Sequence, residues 1–221
     1  MRWIDRLEHK FRRLGIDNLM MYVTVTMLAV FLSGLLLGLP VNQWLTLDRA
    51  AVLRGEVWRL VTFIFMPPTD SPLWLLLSLY FFYFIGSSLE NEWGSTRFTI
   101  YYIFGVAGAI VAAMIVGYGH NMYLNMSLFL AFAQLFPDHQ IMLFFVIPVK
   151  VKYLAYVDWA MLALLFLLGG WSVKASVLAS VANFFLFFGK DFFDSFNNWR
   201  RYGKRRRKFK QDAKNYRDFW R

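Results

Sequence analysis

One serine, Ser127, stands near the head of the apolar run "NMSLFLAFAQLF", Asn125 to Phe136, and one histidine, His120, precedes it by seven residues. The chemistry they raise is attack by a serine hydroxyl. That hydroxyl is a weak nucleophile until a base within hydrogen-bond reach takes its proton. On one helix, seven residues separate the two by ~10 Å of rise. His9 lies in a basic segment near the N-terminus, and His139 lies just past Pro137. The chain has no cysteine, which excludes thiolate nucleophiles, thiolate metal ligands and disulfides. No metal ion and no other cofactor is expected.

The elements that would position these residues are membrane helices. The composition is 58% apolar and only 17% charged, more apolar than a soluble domain of this length. Leu19 to Leu39 and Leu73 to Leu89 hold no ionisable side chain. About 20 such residues cross a bilayer as a helix. Apolar runs read against their Pro and Gly breakers predict six spans, over 18–38, 72–89, 98–117, 122–136, 153–168 and 173–189. The fold class is therefore all-α, a polytopic membrane protein with six transmembrane helices. The second and sixth spans look short. The stretch Ile141–Ile147 is too short to span and reads as an interfacial or re-entrant segment. The domain organisation expected is an amphipathic N-terminal segment over 1–17, the membrane domain over 18–189 and a basic tail over 190–221. The charged first seventeen residues carry no cleavage site, so the first span reads as the insertion signal.

All but four of the 24 Lys and Arg (Arg49, Arg54, Arg59 and Lys174) fall on one side of this arrangement. Basic residues stay cytoplasmic, which puts both termini inside. The loop from Val41 to Ser71 then faces outward and is expected to lie partly in the interface. Trp3, Leu7, Phe11 and Leu14 share one helical face, with Arg and Lys around them, as in an interfacial helix. The tail mixes cations with Trp199, Tyr202, Phe209, Tyr216, Phe219 and Trp220. Its first reading is a topology signal lying on anionic lipid headgroups. A docking site for a cytosolic protein within residues 190–221 is the alternative, and nucleic acid is a less favoured partner.

Helices in lipid associate where small residues let backbones approach. Gly34 and Gly38 are four apart, Gly105, Ala109, Ala113 and Gly117 form a ladder of the same spacing, and Ala175 and Ala179 repeat it before Asn183. This reads as close packing, with the third and sixth spans central and an interhelical hydrogen bond from Asn183.

Three stretches go further: "GEVWRLVTFIF" from Gly55, "GSSLENEWGSTRFTIYYIFGVAG" from Gly86, and "FPDHQIMLFFVIPVKVKYLA" from Phe136. Together they resemble the rhomboid superfamily of intramembrane proteins. Trp58-Arg59 looks like that family's first-loop motif. Glu90, Trp93, Gly94 and Arg97 look like its turn between spans two and three. The resemblance implies a rhomboid-like bundle, and in active members a serine in span four with a histidine in span six.

The residues here depart from that chemistry. No glycine flanks Ser127, and none occurs between His120 and Leu168. Measured back from Phe136-Pro137, the family's serine falls nearer Met122. The sixth span has no histidine; Val181 and Asn183 stand where a base would, and neither accepts a proton near neutral pH. Trp74 and Ser78 stand about where the family's oxyanion-supporting side chains would be. Losing triad members costs a serine hydrolase on the order of 10⁴–10⁶ in rate.

The expectation is a non-enzymatic rhomboid-like pseudoprotease, similar in kind to the derlins. It would bind transmembrane segments of client proteins for quality control, turnover or trafficking. Ser127 would be a packing serine bonded back to a carbonyl one turn earlier. The rival is an active intramembrane serine protease using Ser127 and His120. A transporter ranks last, because only Asp158 is charged well inside a span, Lys174 standing at the edge of the sixth. With no derlin-type Phe-x-Gly box and no organellar targeting sequence, a bacterial plasma membrane is expected.

Overall fold

The computed structural model describes residues 15–143 and 147–188. The amphipathic segment, apart from Gly15 to Asp17, and the basic tail lie outside the described residues. The chain divides into two units, Met1–Phe184 and Phe185–Arg221. Of the second, only 185–188 are described.

Away from water, backbone polar groups must bond within their own segment, and a helix is the single-segment solution. Helix α1 (Leu19–Leu37) ends at Gly38, whose φ of 63° is the left-handed cap, with Pro40 just beyond. Helices α2 (Val41–Leu45) and α3 (Arg49–Leu53) flank strand β1 (Leu47–Asp48). Helix α4 (Arg59–Thr62) and a 3₁₀ turn (Phe63–Phe65) complete the first loop. Helix α5 (Pro72–Trp93) starts with proline at its first position and reverses at Gly94, φ 80°, into α6 (Ser95–Val116). Strand β2 (Tyr118–Gly119) pairs antiparallel with β1, Leu47 opposite Gly119. Helix α7 (Met122–Leu135) is followed by strands β3 (Gln140–Leu143) and β4 (Ile147–Lys150), then α8 (Val151–Leu168) and α9 (Trp171–Phe188).

Five of these helices, α1, α5, α6, α8 and α9, are long and apolar enough to cross a membrane. The remaining expected span, α7, is apolar but has only 14 residues. The six-span expectation thus becomes five candidate spans and one shorter helix. The expected shortness of the second span is corrected too. Helix α5 runs 22 residues, carried past Glu90 and Glu92 to its Gly94 cap. Large apolar side chains stand outward along these helices, including Leu36, Leu73, Ile115 and Leu168, each at least 70% exposed. Lipid accepts such a surface and water does not.

The interior gathers on α7, not on the sixth span as expected. Nine of its fourteen residues are buried, and it packs on α5, α6 and α8. Helix α6 is the most buried of the five long helices. Strands β3 and β4 form an antiparallel hairpin where an interfacial or re-entrant segment was expected. Asp138 at its base takes hydrogen bonds from Lys152 at 2.9 Å and Lys150 at 3.2 Å. These bonds, Lys152 first, hold the exposed Asp138 carboxyl below the usual carboxylate range. Their contribution is present at neutral pH, falls away as acid protonates the carboxylate, and is small in water.

The small residues divide into two kinds. A Cβ on Gly105 would stand 2.5 Å from Leu124 Cδ1 and 2.9 Å from Asn183 Nδ2, so that glycine admits a close approach. Ala113 is buried beside Gly119, and a Cβ on Gly108 would lie 3.8 Å from the Cβ of Ala179. Ala175 is half-buried on α9. Gly34 meets Val41 of α2 rather than another long helix. Gly38 and Gly117 have open space around them and positive φ, 63° and 117°. They are helix caps, which corrects their reading as packing positions.

The tightest approach is at Gly86. A Cβ there would fall on the side chain of the buried Met20, 2.6 Å from its Cβ and nearer still to its Cγ. The clash is at the root of Met20, so rotation of the side chain does not relieve it. Gly86→Ala is expected to lower stability by about 1–3 kcal/mol by separating α1 from α5. Gly38→Ala should lose only the left-handed backbone term, about 1–2 kcal/mol. Equilibrium unfolding of both variants in mixed micelles checks this, and a neutral Gly86→Ala contradicts it.

Candidate functional site

Ser127 is fully buried in the second turn of α7. Tyr101 of α6, also fully buried, donates to the Ser127 carbonyl at 2.9 Å. Tyr101 Oη and Ser127 Oγ are also 2.6 Å apart, a contact in which either hydroxyl can donate. Asn183 Nδ2 of α9 donates to the same Oγ at 3.2 Å. One hydroxyl joins three helices. The carbonyl one turn back, Tyr123 O, accepts instead from Ser180 Oγ at 2.8 Å. That corrects the expected back-bond of Ser127.

A cavity of about 10 Å³ lies beside this knot, lined by Gly105, Ala109, His120, Ser127, Ser180 and Asn183 among others. It has room for about one water molecule. His120 is exposed and sets its ring edge-on to Tyr118 at 5.9 Å. Among the described residues no hydrogen bond joins His120 to Ser127. His139 stacks near Phe84 at 5.5 Å and Phe132 at 6.1 Å, at the far end of α7. What touches Ser127 is thus a phenol and a carboxamide, and a carboxamide does not take a proton near neutral pH.

The motif residues around the knot are structural braces. Arg59 is buried and donates to Gln43 O at 2.6 Å, Thr46 O at 2.8 Å and Glu56 Oε2 at 2.7 Å. It ties the first loop to itself, while neighbouring Trp58 is half exposed. Asn121 Nδ2 donates to Ile64 O and Met66 O and fixes that loop to the start of α7. Trp93 packs edge-on to Tyr101 at 5.5 Å. Glu90 Oε1 accepts from Asn18 N at 2.7 Å and joins the start of α1 to the α5–α6 turn. Arg97 is half-buried in the first turn of α6.

A larger cleft, about 540 Å³, lies between Met66–Pro68, α5, α7 and α8. Its walls are largely apolar, with Phe81, Phe82, Phe129 and Met161; His120, Asn121 and Tyr123 border it at the start of α7, and Asn125 and Asp158 lie deeper along α7 and α8. Both are 9% exposed, and neither Asn125 Oδ1 nor Asp158 Oδ2 has a hydrogen-bond partner.

Residues 21–209 match the family model described as "Eukaryotic integral membrane protein (DUF1751)". The chain belongs to this family. No curated protein matches it. Membership in DUF1751 corrects the expected bacterial plasma membrane, since the family is eukaryotic. That expectation rested on signals the tails lack, and a missing signal constrains nothing physically.

Sequence reading had named Ser127 and Asn183 but had not joined them, and it missed Tyr101. The one signal for Tyr101 was position: it lies four residues before Gly105, so the face occupied by Gly105, Ala109 and Ala113 extends back to it. If the knot is a shared hydrogen-bond unit, Tyr101→Phe and Ser127→Ala should each cost about 1 kcal/mol. The double variant should cost clearly less than their sum, because both remove the same bond. Additive losses in a double-mutant unfolding cycle would overturn the shared unit.

Proposed function

We propose that this DUF1751 protein is a catalytically inactive, rhomboid-like six-span membrane protein. It binds transmembrane segments of client proteins for their quality control, turnover or trafficking. One observation carries the inactive reading: the group on α9 that reaches Ser127 is Asn183, a carboxamide, at 3.2 Å. A serine protease needs a base at that place, and the other group in contact with the serine hydroxyl is a phenol, at 2.6 Å. The client-binding half draws on the cleft. Among the described residues α5 and α8 pack against α7 and hardly against each other. The cleft lies between them, with residues of α7 along it and Met66–Pro68 at one end. Helix α7, the fourth expected span, is about 21 Å long against ~30 Å of hydrocarbon and is enclosed by α5, α6 and α8, so it leaves room in the bundle beside it.

A protease using Ser127 and His120 is the second reading, favoured only by the small cavity that both line. A bridging water there would be its proton path.

A fluorophosphonate probe separates the two. The purified protein in nanodiscs is expected to stay unlabelled, with wild type and Ser127→Ala giving the same signal. Labelling that disappears in Ser127→Ala establishes the protease instead. Photocrosslinkers at cleft-facing positions of α5 and α8 are expected to capture transmembrane segments, and an empty result from every position refutes client binding.

A further inference from the structure

Asp158 is the eighth of the 18 residues of α8, about 10 Å along the helix from its start. Ionisable groups inside membrane helices are costly and mark functional sites. This one is 9% exposed, and its Oδ2 has no partner. Asn125, on the facing α7, lines the same cleft with its own Oδ1 open. Two buried acceptors therefore border one apolar gap. No Lys or Arg lines it, and His120, which also borders it, stands before the first turn of α7. Folding has paired Asn121 Nδ2 at the edge of this cleft and the Ser127 hydroxyl beside it, and has left Asn125 Oδ1 and Asp158 Oδ2 open. In an apolar bundle an open acceptor is expensive; these two border a cavity large enough to admit a partner.

We infer that the cleft selects transmembrane segments that carry a lysine or arginine near mid-membrane. The cation of the segment pairs with Asp158, and a second N–H of the same head group donates to Asn125 Oδ1. Phe81, Phe82, Phe129 and Met161 cover the aliphatic stem. A basic residue alone in lipid has no partner, so the exchange from lipid to cleft favours such segments over purely apolar ones. This rests on the client-binding reading and adds to it the chemistry of the client.

The test uses the full chain in nanodiscs with a photoreactive residue in place of Met161. The probes are Leu/Ala peptides of about 20 residues carrying one central Lys, Gln or Leu. Wild type should capture the Lys peptide about tenfold more than the Leu peptide. Asp158→Asn keeps the shape of the side chain and should reduce that preference to within about twofold. The comparison among peptides on wild type stands even if the variant folds poorly. Equal capture of Lys and Leu peptides overturns the inference and leaves client binding intact. Capture of Gln as strong as of Lys overturns the selection for charge. No capture of any peptide, as when lipid or a small molecule fills the cleft, overturns both.

Discussion

The hydroxyl of Ser127 is fully buried, and much of the bundle is arranged around that fact. In a hydrocarbon interior each polar group must find its partner in the protein or remain unsatisfied. Tyr101 and Asn183 meet that demand from two other helices. Their reach requires the helices to lie close. Gly105 permits it, since a side chain there would stand against Leu124 and Asn183. Trp93, at the end of α5, braces the phenol from behind. The turn between α5 and α6, the glycine on α6 and the asparagine on α9 thus serve a single polar contact.

The same rule explains the first loop, which crosses the ends of several helices. Arg59 is buried because it satisfies two backbone carbonyls and Glu56 together. A planar guanidinium with several fixed donors suits this and a lysine does not. Asn121 does the corresponding work at the start of α7, and the two-residue ladder between Leu47–Asp48 and Tyr118–Gly119 closes the loop on the α6–α7 link. Arg59 spends its donors on the loop's own carbonyls and on Glu56.

The helices were legible in the sequence because each carries its own instruction: an apolar run bounded by Pro, Gly or charge. Asn18, Gly38, Pro72, Gly94 and Gly117 mark ends the structure keeps. Where an instruction was ambiguous, reading failed for identifiable reasons. Ile141–Ile147 is seven apolar residues, too few to tell strand from helix by period; its pairing across the hairpin, Ile141 opposite Val149, decides it. Spacing of four does not distinguish a glycine that admits a neighbour from one that caps a helix. Gly105 is the first kind, and Gly38 and Gly117 are the second. Gly86, the closest approach of all, belonged to no repeat and gave no periodic signal. Tyr101 resembled any other aromatic of a membrane helix. Its role depends on Ser127, 26 residues away, and such pairings are fixed by packing rather than by local pattern.

Two polar sites in one bundle, treated differently, point to where selection acts. At the knot the polar groups meet one another: the phenol the Ser127 carbonyl and hydroxyl, the carboxamide the same hydroxyl. A site so closed stabilises the fold and offers little to a substrate, and its remaining open acceptor, Asn183 Oδ1, is itself buried. At the cleft the acceptors of Asn125 and Asp158 are open, the walls are apolar and the flanking helices α5 and α8 leave a gap. Stability alone would replace Asp158 with an apolar residue of like size, because an unpaired carboxyl among phenylalanines and methionines costs free energy and contributes no packing. In the proposed client complex the arriving cation would offset that cost. The open acceptors of the cleft stand on Asn125 of α7 and Asp158 of α8, apart from the hydrogen-bonded knot at Ser127.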